Sequence, residues 1–110
     1  MTGWIPFESG TSLGATGSED GTILRDELNP DGARITLERT GSRFAITCGV
    51  YGWMMHTRFF ANESDAVVAY EEMKPAVVEI LSRLPDDDDA MEAAVGQVAA
   101  VLNEFVERFP

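Results

Sequence analysis

A chain of 110 residues that is 45% hydrophobic and 25% charged has the composition of one globular domain, not of a disordered polymer or of two separately cored units. The net charge of −11 repels phosphate at long range and excludes general nucleic-acid binding, and a single cysteine excludes an internal disulfide or a multi-cysteine zinc site. No apolar stretch is long enough to span a bilayer, and no basic segment followed by an apolar one opens the chain, so a cytoplasmic protein without membrane contact is expected.

Residues 1–21 read as a glycine-rich amino-terminal arm, with Gly3, Gly10, Gly14, Gly17 and Gly21 and no periodicity. Trp4, Ile5, Phe7 and Leu13 are costly to leave in water, so the Trp4–Phe7 end should pack while Gly10–Gly21 stays looser. Residues 22–110 read as a single α+β domain. Ala33, Ile35 and Leu37 alternate with polar residues, as do Phe44, Ile46 and Cys48, which is the period of half-buried strands. Asn29-Pro30-Asp31-Gly32, Gly41-Ser42 and Gly49-Val50-Tyr51-Gly52 supply turns. Four antiparallel strands in a meander follow, near 22–28, 33–40, 43–49 and 53–60.

Closing the second hairpin at Gly41-Ser42 pairs Leu37 with Ile46 and Ile35 with Cys48. Closing the third at Val50-Tyr51 pairs Cys48 with Trp53, Ile46 with Met55 and Phe44 with Thr57. The first strand fits less well, because Asp26 accompanies Leu24 and Leu28 onto the apolar face, so a bulge or an edge position is expected there.

Two carboxy-terminal helices are predicted, near 63–84 and 90–108, packed on one face of the sheet. Asn62 or Ser64 caps the first, whose stripe runs through Ala66, Val67, Tyr70, Met73, Val77, Ile80, Leu81 and Leu84. The stripe keeps its phase across Pro75, which predicts one kinked helix. Asp89 and Glu92 resemble a capping box for the second, with Met91, Val95, Val98, Leu102, Phe105 and Phe109 as its stripe. The fold class is thus α+β, a two-layer arrangement of four strands and two helices.

Candidate sites are few. Asp86–Asp89 lacks the alternating ligands and glycine of a calcium loop and reads as a solvated linker, so no metal site is expected. Gly10–Gly17 lacks the Gly-Lys-Ser/Thr ending of a phosphate loop and leads into Glu19-Asp20. Cys48 and His56 fall on opposite faces in the register above, so Cys48 reads as a small core residue and not as half of a dyad.

The face turned away from the helices is expected to show Arg25, Glu27, Arg34, Thr36, Glu38, Arg43, Thr47, Met54, His56, Arg58 and Phe60. Arg34, Arg43, Met54, His56, Arg58 and Phe60 are the candidate binding set within it: arginine and methionine are enriched at recognition surfaces. The reading is a non-catalytic protein-binding or regulatory domain without a cofactor, acting through this face as a homodimer or on a basic protein partner that it neutralises. The competing reading is a small enzyme or anionic-ligand-binding protein that uses Arg34, Arg43, His56 and Arg58, with the glycine-rich arm as a lid. It lacks a paired acid and base, a nucleophile beside a base and a cofactor fingerprint.

Overall fold

The computed structural model describes residues 3–84 and 88–110, with side chains for 3–84 and 96–110. A short strand β1 (Ile5–Pro6) and an irregular turn over Phe7–Gly10 precede β2 (Thr22–Asn29), β3 (Ala33–Thr40), β4 (Arg43–Val50) and β5 (Met54–Phe60). Helices α1 (Glu63–Ser82) and α2 (Asp88–Arg108) follow. The class is α+β, as expected. The strands form one antiparallel sheet in the order β1-β2-β3-β4-β5, so the meander has five strands where four were expected. The fifth comes from the arm, with Ile5 opposite Leu28 and Pro6 opposite Glu27.

The β3–β4 register is the one that the alternation predicts, Leu37 opposite Ile46 and Ile35 opposite Cys48. These residues join Ala33, Phe44 and Val50 in the core beneath the helices. The β4–β5 hairpin departs from expectation. Val50 pairs with Met54 across Tyr51–Trp53, which places Cys48 opposite His56, Ile46 opposite Arg58 and Phe44 opposite Phe60. Gly52 takes the positive φ of 82° that the third position of a type II turn requires, and the Trp53 amide donates to the Val50 carbonyl at 2.9 Å. The register moves by an odd number of residues, so every side chain of β5 changes face. Met54, His56, Arg58 and Phe60 lie on the helix side, and Met55, Thr57 and Phe59 on the open side.

Strand β2 contains the expected bulge: the pairing with β3 shifts between Ile23 and Arg25, leaving Leu24 as the extra residue. The bulge reverses the expected faces. Arg25 and Glu27 turn to the helices, where Arg25 meets Glu71 at 3.2 Å and Glu27 accepts from Tyr70 Oη at 2.7 Å and Lys74 Nζ at 3.1 Å. Asp26 turns to the open side and is buried there.

Asn62 caps α1, accepting from the Asp65 amide at 2.9 Å, and the helix runs through Pro75 without ending. It buries Ala66, Ala69, Tyr70, Met73, Val77 and Ile80 against the sheet. Helix α2 adds Val98 and Phe105, and Phe109 just beyond it is also buried, its ring 4.9 Å from that of Phe105. The Asp86–Asp89 run and the Asp89–Glu92 capping box lie outside the residues whose side chains are described. Among the described residues, no helix is long and apolar enough to cross a membrane.

Candidate functional site

The structure does not bring the six candidate binding residues together. Arg34 and Arg43 are on the open face, but at opposite ends of it: Arg34 pairs with Gly49 and Arg43 with Thr40. Six residues along a strand separate them by about 20 Å. Met54, His56, Arg58 and Phe60 belong to the helix side, a correction forced by the longer β4–β5 loop. Met54 and Phe60 pack against the core, His56 Nε2 bonds the Phe109 carbonyl at 2.5 Å, and Arg58 Nε donates to the Pro110 carbonyl at 3.2 Å. Arg58 also lies over the rings of Phe60 and Phe109, at 4.9 and 5.3 Å. These groups seat the chain's last residues against β5.

Cys48 and His56 therefore face each other across β4 and β5, on one side of the sheet. Cys48 is nonetheless a core residue, fully buried, with its thiol pushed up to about 12 by burial, chiefly against the pull of Arg58. A reactive cysteine needs the opposite environment. His56 is committed to the Phe109 carbonyl and meets the Phe105 ring edge-on at 6.3 Å.

The open face carries a different constellation, built by the arm. Asp26 accepts from Arg34 Nε at 2.9 Å and Nη2 at 2.6 Å, and from the Ser12 hydroxyl at 2.7 Å. The Phe7 ring lies 3.6 Å from the Arg34 guanidinium carbon. Arg34 is held more firmly in its charged form than an ordinary arginine, because its hydrogen bonds to Asp26 outweigh the cost of burial. Beside it, Thr36, Thr47 and Thr57 stand in register across β3, β4 and β5. The Thr47 and Thr57 hydroxyls lie 3.1 Å apart, and Ser18 of the arm reaches Thr47 at 3.5 Å.

The arm does not stay loose between Gly10 and Gly21. Gly14 donates to the Ile23 carbonyl at 2.8 Å and Ile23 to the Ala15 carbonyl at 2.9 Å. Glu38, fully buried, accepts through Oε1 from the amides of Glu19 at 2.9 Å and Gly21 at 3.0 Å. Between the arm and the β4–β5 loop lies a groove of about 310 Å³, floored by Thr36, Thr47 and Gly49 and walled by Gly17 and Ser18 on one side and Tyr51 and Met55 on the other. Arg34 stands in its lining.

Three large apolar side chains remain in water along the open side of β5 and its loop, Tyr51 and Met55 near the groove and Phe59 toward Arg43. Tyr51, Met55 and Phe59 are 55%, 78% and 47% exposed. Arg43 lies over the Phe59 ring at 4.9 Å. Sequence reasoning selected Met54 and Phe60 in place of Met55 and Phe59, the same strand read one face over. Gly52 alone does not reveal this: a two-residue type II loop at Tyr51-Gly52 pairs Cys48 with Met55 and keeps the expected face, and only the third loop residue, Trp53, reverses it. Among the described residues, no group of three or more His, Cys, Asp or Glu side chains is placed to hold a metal ion. No family model, curated protein or solved structure matches the chain.

Proposed function

We propose that this is a non-catalytic binding module that engages a protein partner through the β4–β5 end of its open sheet face. The observation that carries this reading is the exposure of Met55 and Phe59 on one face of β5, the last strand of the sheet, with Tyr51 exposed in the loop before it. Apolar residues scattered singly over a surface need no explanation, whereas several on one face of an outer strand offer a partner a row of apolar contacts. An edge strand adds backbone donors and acceptors to which a partner strand can bond.

Charge supports a basic partner. Strands β4 and β5 contain no acidic residue, while Glu71, Glu72, Glu79, Glu104 and Glu107 are exposed on the helices. The net charge of −11 draws a cationic protein from a distance, and the apolar side chains of β5, free of carboxylates and with Arg43 over Phe59 as the neighbouring cation, are where it seats without burying carboxylates. The exposed helical glutamates also disfavour two copies approaching through their helical layers, though not through their sheets.

The test is affinity capture with the wild-type chain against Met55→Asp and Phe59→Asp, each variant confirmed folded by circular dichroism, alongside light scattering over a dilution series. A basic protein held by the wild type and released by both variants is the expected outcome. Equal capture by both variants overturns the sheet-face assignment. A dimer that both variants dissociate makes the occupant a second copy.

A further inference from the structure

We propose that the groove beneath the arm binds a small monocarboxylate, anchored on the outer edge of the Arg34 guanidinium. This site goes beyond the protein-binding reading and does not depend on it.

A guanidinium offers two edges for bidentate hydrogen bonding, one through Nε and Nη2 and one through Nη1 and Nη2. Asp26 occupies the first edge, at 2.9 and 2.6 Å. Nη1 has no partner among the described residues, so the second edge is available to a planar two-oxygen ligand. The group is also fixed in direction. Asp26 is itself held by the Ser12 hydroxyl at 2.7 Å, and Phe7 covers one guanidinium face at 3.6 Å. A guanidinium already ordered by its neighbours loses little freedom when a carboxylate docks on it.

The surroundings select the rest of the ligand. Ile23, Tyr51 and Met55 supply apolar lining, and Thr36, Thr47 and Ser18 set hydroxyls near the floor and rim. A volume of about 310 Å³ is at the small end of the range for ligand sites, about 300–1,000 Å³. Charge favours a monoanion over a dianion. The one cation in the lining already carries the full counter-charge of Asp26, Glu8 acts on it as a second carboxylate, and Glu38, Glu19 and Asp20 stand on the same side of the sheet or on the arm above it. A phosphate dianion would meet more repulsion there than a carboxylate does.

The test is a titration of the ¹⁵N-labelled full chain with hexanoate, hexanamide and inorganic phosphate, following the amides of Gly17, Ser18, Thr47 and Gly49. Hexanoate should give saturable shifts at these amides. Hexanamide, which keeps the shape and lacks the charge, should bind at least about tenfold more weakly, because it forfeits the charge-assisted pair. Arg34→Lys keeps a cation beside Asp26 but loses the fork, and should weaken hexanoate by about tenfold as well. Met55→Glu changes an exposed side chain at the rim, leaves the fold intact and should weaken hexanoate by repulsion. Absence of saturable shifts with hexanoate overturns the proposal. So do equal midpoints for hexanoate and hexanamide, phosphate binding as tightly as hexanoate, or wild-type hexanoate binding in both variants.

Discussion

Gly17 rests so closely on the Glu38 carboxylate that a β-carbon at this position would overlap Oε2. Oε1 of the same carboxylate takes the amides of Glu19 and Gly21, so one buried side chain holds both ends of the arm's last turn. The arm, the sheet and the groove between them are joined at this point.

Two substitutions should release the arm by different routes. Gly17→Ala pushes a methyl into a carboxylate that burial and hydrogen bonds keep from moving, at a cost of about 1–3 kcal/mol. Glu38→Ala leaves two amides without their acceptor, about 1–3 kcal/mol for a buried unsatisfied group. Urea unfolding measures the loss. Hydrogen exchange then distinguishes the routes: Glu38→Ala should deprotect the Glu19 and Gly21 amides far more than the amides of β3 or β4. Unchanged protection at those two amides would show that the latch does not hold the arm.

Alkaline pH should destabilise the fold. Burial raises the Cys48 thiol from its ordinary 9.0 to about 12 and also pushes the Tyr70 phenol up, with its hydrogen bond to Glu27 adding to the shift. The unfolded chain therefore loses these protons first, and stability falls as pH rises from about 9 toward 12. One such group contributes about 1.4 kcal/mol per pH unit within that window. Urea midpoints at pH 8 and pH 10.5 measure the slope, and Cys48→Ala should make it shallower. In the native protein at pH 8, iodoacetamide should leave Cys48 unmodified.

The two sides of the sheet should differ sharply in their tolerance of truncation. Phe105 is 5% exposed and packs between His56 and Phe109, so Phe105→Ala should cost about 3–5 kcal/mol. Met55 is 78% exposed, and Met55→Ala should change stability by no more than about 0.5 kcal/mol. Thermal unfolding of the two variants checks the contrast, and a large loss at Met55 would place that residue in the core and not in an interface.

Much of the architecture was legible in local pattern. Strict alternation from Ala33 to Leu37 and from Phe44 to Cys48 admits one register, because a slip by one residue would expose every apolar group. The stripe of α1 and its Asn62 cap are likewise local, since helix periodicity and capping involve residues within one or two turns of each other. The turn at Asn29–Gly32 and the irregularity of β2 followed from the same kind of evidence.

What only the tertiary structure decided was the side on which β5 shows its residues, and with it the candidate site. Met54 and Phe60 are apolar on one face and Met55 and Phe59 on the other, so the alternation of β5 points both ways. The helix layer breaks the tie: the Phe109 and Pro110 carbonyls and the Phe105 ring give His56 and Arg58 partners that the open face does not offer them. The arm is a second case. Nothing local marks Glu38 as the acceptor for Glu19 and Gly21, because the amides that bond its Oε1 lie seventeen or more residues away and meet it only after the sheet has formed.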